Sequence, residues 1–600
     1  MLGLRDIDIT VAGLRKHYKD GDFTVEDLID LVLQASDAIA DNPIWITRLS
    51  REQIQTYIDN LKNLSLDSAP LYGIPFAIKD NIDLVDIPTT AACPDFTYIP
   101  TESAFVVQQL INAGAVPIGK TNMDQFATGL VGVRSPEPWG PCKNALNPEI
   151  ISGGSSSGSA VAVALGLVSF SLGTDTAGSG RIPASLNNIL GLKPSRGLLS
   201  NRGVVPACKS LDCVSIFALT AQDANTVFDV AAQFDEQDSY SHHNNYSNGR
   251  RYFGLNHKLV TLGVPNPDQL EFFGNDEATV LFKQTIDNLP DNIKTKTIDF
   301  SPFAQAAKLL YEGPWVSERQ IAIEGVKSTS LLPVIDTIIN QQESTAKEAF
   351  KAQYQLAELK RDADKILNSV DAIINPTAGT YYSIESVEQD PIQLNSNLGY
   401  YTNFMNLVDY SAVSVPVAMY KNGVGFGLTL FSFAQQDKFL LSIADRIQEG
   451  NNLCLGGGTQ KFKPQTISTL PPVNTIDVVV CGAHLQGLPL NWQLQERGAT
   501  LVKATKTSPH YRFYALAGGP PFRPGLIRDT ENGAAIDVEV WRVPKQNFGS
   551  FVAEIPHPLG IGKVELADGS WCSGFICEPV GVQGAEEITH LNSWKAYLER

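Results

Sequence analysis

Three segments in the first third of the 600-residue sequence carry side chains that could perform nucleophilic catalysis. Lys79 ends a short apolar run, and two Gly/Ser-rich loops follow it, Gly153-Gly-Ser-Ser-Ser-Gly-Ser159 and Gly173-Thr-Asp-Thr-Ala-Gly-Ser179. Such loops at helix starts collect unpaired backbone N–H groups, which suit a phosphate or a developing oxyanion. A single loop of this kind is usually only a flexible turn. Two loops, preceded by a strand-end lysine, favour a catalytic site.

A nucleophilic serine needs a base, and histidine is scarce in this region. The eight histidines leave residues 18–241 without any, although this stretch holds all three segments. A Ser-His-Asp site would have to take its imidazole from His242, His243 or another domain. Lysine is the remaining candidate, provided that burial lowers its pKa from about 10.4 by roughly 3–5 units. The apolar run before Lys79 places it for such burial, whereas a surface lysine would extend to water.

The stretch from Gly153 to Pro183 resembles the amidase-signature family, with its Gly-Gly-Ser-Ser and Gly-Thr-Asp-x-x-Gly-Ser loops. Gly73–Asp80 matches the lysine motif of that family, and Lys120–Ala127 and Asn403–Pro416 resemble further family stretches. The resemblance covers roughly residues 20–450. It implies an α/β fold with a mixed β-sheet core covered by helices, and amide hydrolysis without metal or organic cofactor.

Carried over residue by residue, the resemblance implies Ser179 as nucleophile and Lys79 as base. Ser155, expected after a cis peptide bond from Gly154, would relay the proton between them. The implied oxyanion hole consists of the backbone N–H groups of Thr176, Ala177, Gly178 and Ser179. Gly180 departs from the usual aliphatic residue at its position, and we expect a smaller or more flexible site that favours a compact substrate.

Tyr311-Glu-Gly-Pro-Trp-Val-Ser-Glu-Arg319 lies outside the catalytic loops and could be either a helix start with a surface arginine or a pocket wall. Together with Gly180 and a second domain, it resembles the allophanate-hydrolysing branch of the family. The resemblance then implies that Arg319 binds the substrate carboxylate and that Tyr311 hydrogen-bonds it. An arginine fork suits a small planar carboxylate. The resemblance also implies a homodimer and functional coupling to a urea carboxylase or a biuret hydrolase.

Two other functions stay open at this stage. One is a general amidase that acts on larger carboxamides. The other is a protein without independent activity, either a scaffold with a decayed site or the amidase component of a transamidation complex. Intact Lys79, Ser155 and Ser179 argue against decay, and the extra domain weakens the transamidation alternative.

The elements that must position these residues fall into several blocks. Residues 1–65 are predicted to be helical, with a capping box at Thr24–Asp27, and residues 70–235 alternate in the manner of an α/β domain. Helical patterns occupy 276–290 and 303–368. The motif Gly114–Thr121 fits the letters of a phosphate-binding loop, but its stiff Val-Pro-Ile core favours a strand that follows a helix cap.

We expect an amidase domain at 1–455, a linker at 456–474 and a smaller α+β or β-barrel-like domain at 475–600. The last resembles γ-glutamyl-cyclotransferase-like domains. Its candidate functional residues are His484, His510 and Glu554. If the domain is not purely structural, they could assist decarboxylation of N-carboxycarbamate, the product that the resemblance implies for allophanate hydrolysis.

The charge and the cysteine content limit the classes of binding partner and the location that we expect. The formal net charge of −18 disfavours nucleic acid and anionic membranes, so an anionic substrate must be captured by local cations. The N-terminus has acidic residues where a signal peptide needs an apolar run, and the eight cysteines form no CxxC pair. We therefore expect a cytoplasmic protein with reduced thiols, no membrane span and no metal site.

Overall fold

A computed structural model of the chain describes residues 7–244, 259–340, 344–463, 475–497 and 499–600, together with Leu4 and Asn248. The described residues divide into two units. The first contains Leu4 and the described residues between 7 and 463 apart from Asn248, and the second contains Asn248 and the described residues from 475 onward. Of the predicted linker, residues 464–474 lie outside the described part of the chain.

The first unit is built on one eleven-stranded mixed sheet with the order β1-β3-β2-β4-β6-β5-β10-β11-β9-β7-β8. Its strands are parallel in the β3-β2-β4 and β9-β7-β8 parts and antiparallel elsewhere. The strands are β1 (Trp45–Arg48), β2 (Pro75–Lys79), β3 (Val116–Thr121), β4 (Phe170–Asp175), β5 (Leu190–Lys193), β6 (Cys213–Ala218), β7 (Val260–Pro265), β8 (Ile293–Ile298), β9 (Ala372–Pro376), β10 (Tyr410–Met419) and β11 (Gly425–Phe433).

Helices cover this sheet. They are α1 (Val11–Asp20), α2 (Val25–Ala38), α3 (Arg51–Asn60), α4 (Phe105–Asn112), α5 (Ser157–Ala164), α6 (Ile182–Leu186), α7 (Ala221–Ala231), α8 (Asp276–Asp287), α9 (Ser301–Glu312), α10 (Val316–Ala322), α11 (Pro333–Ile339), α12 (Ala346–Leu367), α13 (Ile384–Gln389), α14 (Gln393–Leu398) and α15 (Asp437–Asn451). Helix α5 is buried along its whole length because its Gly, Ala, Ser and Val side chains are small enough to pack on all sides.

The strands that present the candidate catalytic residues are buried throughout. All residues of β2, β3 and β4 are inaccessible to solvent, which agrees with their apolar runs, since parallel strands are covered on both faces. The chain leaves α4 through Gly114, whose φ of 95° permits the reversal into β3. The phosphate-loop letters at Gly114–Thr121 therefore belong to a helix end and a buried strand.

Two predicted helical blocks differ from the structure. Residues 1–65 hold three helices but also the edge strand β1, which pairs with β3. The described residues between 303 and 368 form four α-helices, because Gly313 and Pro314 interrupt the chain after α9 and Pro333 begins α11. The capping box at Thr24–Asp27 is present at the start of α2, as predicted.

The second unit contains two sheets. A five-stranded sheet has the order β13-β16-β12-β18-β17, and a three-stranded sheet has the order β15-β14-β19. Its elements are β12 (Thr475–Val480), α16 (Asn491–Glu496), β13 (Thr500–Lys506), β14 (Tyr511–Ala515), β15 (Pro524–Arg528), β16 (Asp537–Pro544), α17 (Lys545–Ala553), β17 (Leu559–Glu565), β18 (Trp571–Cys577), β19 (Glu586–Glu587) and α18 (Trp594–Leu598). The unit has its own apolar core, in which Tyr511, Trp541 and Trp594 are almost wholly buried.

Over the described part of the chain, every helix is either too short or too polar to cross a membrane. All eight cysteines are free thiols, and Cys454 is the exposed one.

Candidate active site

Lys79 ends β2 and is completely buried. Its Nζ lies 2.8 Å from Ser155 Oγ and 2.7 Å from Thr174 Oγ1, so two hydroxyl groups hold the amine. Burial lowers the pKa of Lys79 to about 7, although nearby carboxylates, Asp124 foremost, oppose this shift. At neutral pH a substantial fraction of this lysine is therefore uncharged and able to accept a proton.

Ser155 follows Gly154 through a cis peptide bond, as the family resemblance implied. Asp124 contacts both residues of this bond. Its backbone N–H donates to the Ser155 carbonyl at 3.0 Å, and a Cβ on Gly154 would lie 2.1 Å from its carboxylate. Only glycine therefore fits at position 154, and the Ser155 hydroxyl is held toward Lys79.

Ser179 is 3% exposed and lies on the loop between β4 and α6. Its hydroxyl donates to the Gly129 carbonyl, with 3.4 Å between the oxygens. Within the described residues, the hydroxyls of Ser155 and Ser179 share no hydrogen bond. The structure thus joins Lys79 to Ser155 directly, and Ser179 is bonded to the loop that faces it.

The loop around Ser179 is organised by Asp175. Its carboxylate accepts the backbone N–H groups of Gly178 and Gly180 at 3.0 and 2.9 Å and forms a two-pronged pair with the Arg181 guanidinium at 2.9 Å. Asp175 and Arg181 are both fully buried. Burial, the largest single effect, would raise the pKa of Asp175, but Arg181, Lys193 and the Gly180 N–H together outweigh it, and the pKa lies below its ordinary value. A charged pair therefore fixes the loop.

This arrangement changes the expected oxyanion hole. Since the N–H of Gly178 already donates to Asp175, it is occupied in this structure. The N–H groups of Thr176, Ala177 and Ser179 donate to no group in the described part of the chain and stay available. The side chain of Thr176 is held separately, by a 2.5 Å hydrogen bond to Asp212.

Gly180 has a structural reason that differs from the sequence-based expectation. A Cβ at this position would lie 2.5 Å from Ser215 Cβ and 3.1 Å from Asp175 Cβ. The glycine therefore allows the loop to pack on β6. A side chain at this position would point into the core, so the glycine does not set the size of a pocket.

Arg319 lies on α10 and is buried, which rules out the surface alternative. Its Nη1 donates to Thr128 Oγ1 at 2.8 Å and to the Ala127 carbonyl at 3.4 Å. Nε and Nη2 donate to no described group, and among the described residues Arg319 forms no ion pair. The Tyr311 ring lies 5.8 Å from the guanidinium carbon and packs against the apolar cluster that contains Ala177 of the Ser179 loop. The structure thus places Arg319 on Thr128, next to the Gly129 that Ser179 contacts, and packs Tyr311 against the cluster that contains Ala177.

Several residues of this site were not singled out from the sequence. Asp124, Thr128 and Gly129 come from the stretch that begins at Lys120 and continues past Ala127, and Thr174 comes from β4. The sequence signal existed in part, since Lys120–Ala127 resembled a family stretch. Its side-chain roles depend on contacts with residues more than 30 positions away, which no local pattern reveals.

The candidates in the second unit separate into two places. His484 and Glu554 line one cavity of about 210 Å³, together with Arg523, Phe551 and Phe575 among other residues. His484 stacks on Phe575 with ring centroids 5.1 Å apart, and burial lowers its pKa, so it is neutral at pH 7. His510 does not line this cavity.

His510 lies instead on the segment before β14. Its Nδ1 lies 3.4 Å from Ser508 Oγ and 3.5 Å from Glu565 Oε2. Within the described residues, no group of three or more His, Cys, Asp or Glu side chains is arranged to hold a metal ion.

Comparisons with known proteins agree with both units. The amidase family model matches residues 36–441, and the model of the allophanate hydrolase C-terminal domain matches residues 476–599. Urea amidolyase of Saccharomyces cerevisiae is 41% identical over 95% of this chain, which spans 32% of the length of that relative.

Two solved structures from Kluyveromyces lactis are similar over nearly the full length of this chain. The allophanate hydrolase of that organism aligns with a TM-score of 0.77 and 39% identity over 99% of both chains. Its urea amidolyase aligns with a TM-score of 0.76 and 38% identity over 100% of this chain and 36% of the longer relative. The chain belongs to the amidase family, and its residues 476–599 match the model of the allophanate hydrolase C-terminal domain.

Proposed function

We propose that this chain hydrolyses allophanate, with Ser179 as nucleophile, and releases ammonia. The observation that carries the proposal is the guanidinium of Arg319, which is buried beside the nucleophile loop with two nitrogens unused by the described residues. A buried arginine without a carboxylate partner is costly unless an anion binds it. A small substrate that bears a carboxylate next to its amide meets that need, and the urea amidolyase and allophanate hydrolase relatives bear names that agree with it.

The proposed reaction begins with proton transfer. Neutral Lys79 takes the proton of Ser155, which takes the proton of Ser179 once that hydroxyl turns from Gly129 toward the relay. Ser179 attacks the terminal ureido carbonyl while the substrate carboxylate binds Arg319. The oxyanion is stabilised by the free N–H groups of the nucleophile loop, and one such donor is worth about 3–4 kcal/mol in related acyl transfers.

Collapse of the tetrahedral intermediate breaks the C–N bond to the terminal nitrogen. The proton returns through Ser155 to this nitrogen, and ammonia leaves. Water, deprotonated by the same relay, then hydrolyses the acyl-enzyme and yields N-carboxycarbamate. Loss of two molecules of carbon dioxide from this product, with uptake of two protons from water, releases the second ammonia, so that one allophanate gives two ammonia in total.

The cavity in the second unit is proposed to assist this later step. The first product is a small dianion, and the cavity combines Arg523 with neutral His484, mostly apolar walls and Glu554, whose carboxylate is paired with Arg497. Such surroundings offer one cation for a carboxylate and little solvation for the rest of its charge.

Ammonia release from allophanate by the purified chain tests the proposed function. We expect turnover by the native chain and a loss of at least about a thousandfold in Ser179→Ala, because the acyl-enzyme cannot form. Biuret, which replaces the carboxylate with a neutral amide of the same size, distinguishes a general amidase. Arg319→Met should abolish the preference for allophanate over biuret. Equal turnover of both compounds by the native chain, or an unchanged preference in the variant, would contradict the proposal.

Coupling to an enzyme that makes allophanate, whether a urea carboxylase or a biuret hydrolase, follows as part of the proposal. Allophanate forms when a carboxyl group is added to a nitrogen of urea, or when one terminal amide of biuret is hydrolysed to a carboxylate with loss of ammonia. The homodimer and the cytoplasmic location stay predictions.

A further inference from the structure

The dipeptide Thr128–Gly129 contacts both ends of the proposed substrate site. The Thr128 hydroxyl accepts a hydrogen bond from Arg319 Nη1 at 2.8 Å, and the Gly129 carbonyl accepts one from Ser179 Oγ at 3.4 Å. Adjacent Cα atoms are about 3.8 Å apart across a trans peptide bond. The group that holds the anion and the group that attacks the carbonyl are therefore tied to each other through one peptide unit.

The Thr128 hydroxyl also fixes the orientation of the guanidinium. It donates its own proton to the Phe126 carbonyl at 3.2 Å, so a lone pair is directed at Arg319. Nη1 is then occupied by Thr128 and the Ala127 carbonyl, which leaves Nε and Nη2 on one edge. That edge can bind a carboxylate with two parallel hydrogen bonds.

The dipeptide is itself rigidly held. Thr128 is 1% exposed, and its carbonyl accepts a hydrogen bond from Arg134 Nη1 at 3.0 Å. A Cβ on Gly129 would lie 2.5 Å from the Asp124 carboxylate, so this glycine is packed directly against the support of Ser155. The next residue, Leu130, donates its N–H to Asn395 Oδ1 at 2.8 Å.

We infer that Thr128 is a positioning residue that sets the length of the anion this site accepts. It holds the free edge of Arg319 at a fixed separation from Ser179, so that a carboxylate one atom away from the reacting carbonyl binds productively. An anion longer by one methylene, such as N-carbamoylglycine, cannot meet both ends of the site without displacing the dipeptide. This inference rests on the proposed function.

The test is Thr128→Val, which keeps the shape of the side chain and removes the hydroxyl. KM for allophanate should rise about tenfold to a hundredfold, since a hydrogen bond to a charged group is lost, while kcat stays within about threefold. N-carbamoylglycine is measured as a competitive inhibitor. The inhibitor ratio, its Ki divided by the KM for allophanate, should fall most of the way to one in Thr128→Val, because the guanidinium is then free to move. Thr128→Ser keeps the hydroxyl and should restore both values.

Thr377→Val is the matched control. Thr377 is equally buried, and its hydroxyl bonds only to Ser414 and Thr429 among the described residues, so both kinetic values should stay native whatever the loss in stability. If valine at position 128 prevents folding, Thr128→Ala, which only deletes atoms, is measured instead. An unchanged KM and an unchanged inhibitor ratio in a folded variant would overturn the inference while leaving allophanate hydrolysis in place. A native chain that releases no ammonia from allophanate would instead refute the proposed function itself.

Discussion

At the scale of residues, the site depends on a lysine that the fold makes unusually acidic. Lys79 has no exposure to solvent, and two hydroxyls take the place of water around its amine. Thr174 is the less obvious of the two. Its hydroxyl oxygen accepts one N–H of the neutral Lys79 amine. The lone pair of the amine can then accept the proton of the Ser155 hydroxyl. Asn81 Nδ2 lies 3.5 Å from the same hydroxyl and helps to hold it.

Removal of the Thr174 hydroxyl should therefore slow the chemical step. We expect Thr174→Val to lower kcat about tenfold to a hundredfold with little change in KM, because Lys79 loses the partner that orients it. Thr174→Ser should retain most of the native rate. Steady-state kinetics with allophanate measures both, and a rise in KM with unchanged kcat would show that Thr174 has another role.

At the scale of elements, one buried ion pair fixes the turn from β4 into α6. Arg181 and Asp175 satisfy each other and two backbone N–H groups, so the turn that carries Ser179 cannot relax independently of its strand. Arg181→Met should destabilise the fold by about 3–5 kcal/mol, since it leaves Asp175 buried and uncompensated. Chemical denaturation measures this change. Lys16→Met breaks only the exposed pair with Asp20 and should cost less than about 1 kcal/mol.

The packing of Gly180 on β6 gives a second prediction at this scale. Gly180→Ala places a methyl group against Ser215 and should cost about 1–3 kcal/mol of stability. Ser215→Gly removes the side chain in its way, and the double variant should recover part of that loss. Additive losses in a double-mutant cycle would contradict this explanation of the glycine.

Much of this site was accessible from the sequence, because its motifs are contiguous and their chemistry is distinctive. The absence of histidine between residues 18 and 241 leaves Lys79 as the candidate base, and the family resemblance of the Gly/Ser loops implies the roles of Ser155 and Ser179. The edge strand β1 was missed since its four residues are only half-buried and lie within helical patterns. Gly180 was misinterpreted because its neighbour, Ser215, comes from a strand that is distant along the chain.

At the scale of the whole molecule, the two units hold separate groups of functional residues. The proposed hydrolysis requires residues of the first unit alone, and the His484 cavity belongs to the second. The three candidates of the second unit could not be ranked from the sequence, because isolated histidines carry no spacing pattern. In the structure, His484 and Glu554 line the cavity, whereas His510 does not.

This separation predicts that release of the first ammonia can be uncoupled from release of the second. In His484→Ala, the first ammonia should be released at the native rate, while the second should fall to the rate of spontaneous breakdown of the product. Continuous measurement of ammonia, with N-carboxycarbamate followed by carbon-13 NMR, checks this. His510→Ala should behave like the native chain, and simultaneous loss of both phases in His484→Ala would contradict a role restricted to the second step.

The central claim is that Lys79 acts as an uncharged base, and the pH dependence of kcat/KM for allophanate tests it most directly. Lys79 accepts a proton only when neutral, and burial sets its pKa at about 7. The rate should therefore be constant well above pH 7 and fall tenfold per pH unit well below it, and Lys79→Ala should abolish turnover across the whole range. A rate that stays constant down to pH 5, or a Lys79→Ala variant that retains this acid limb, would contradict the account.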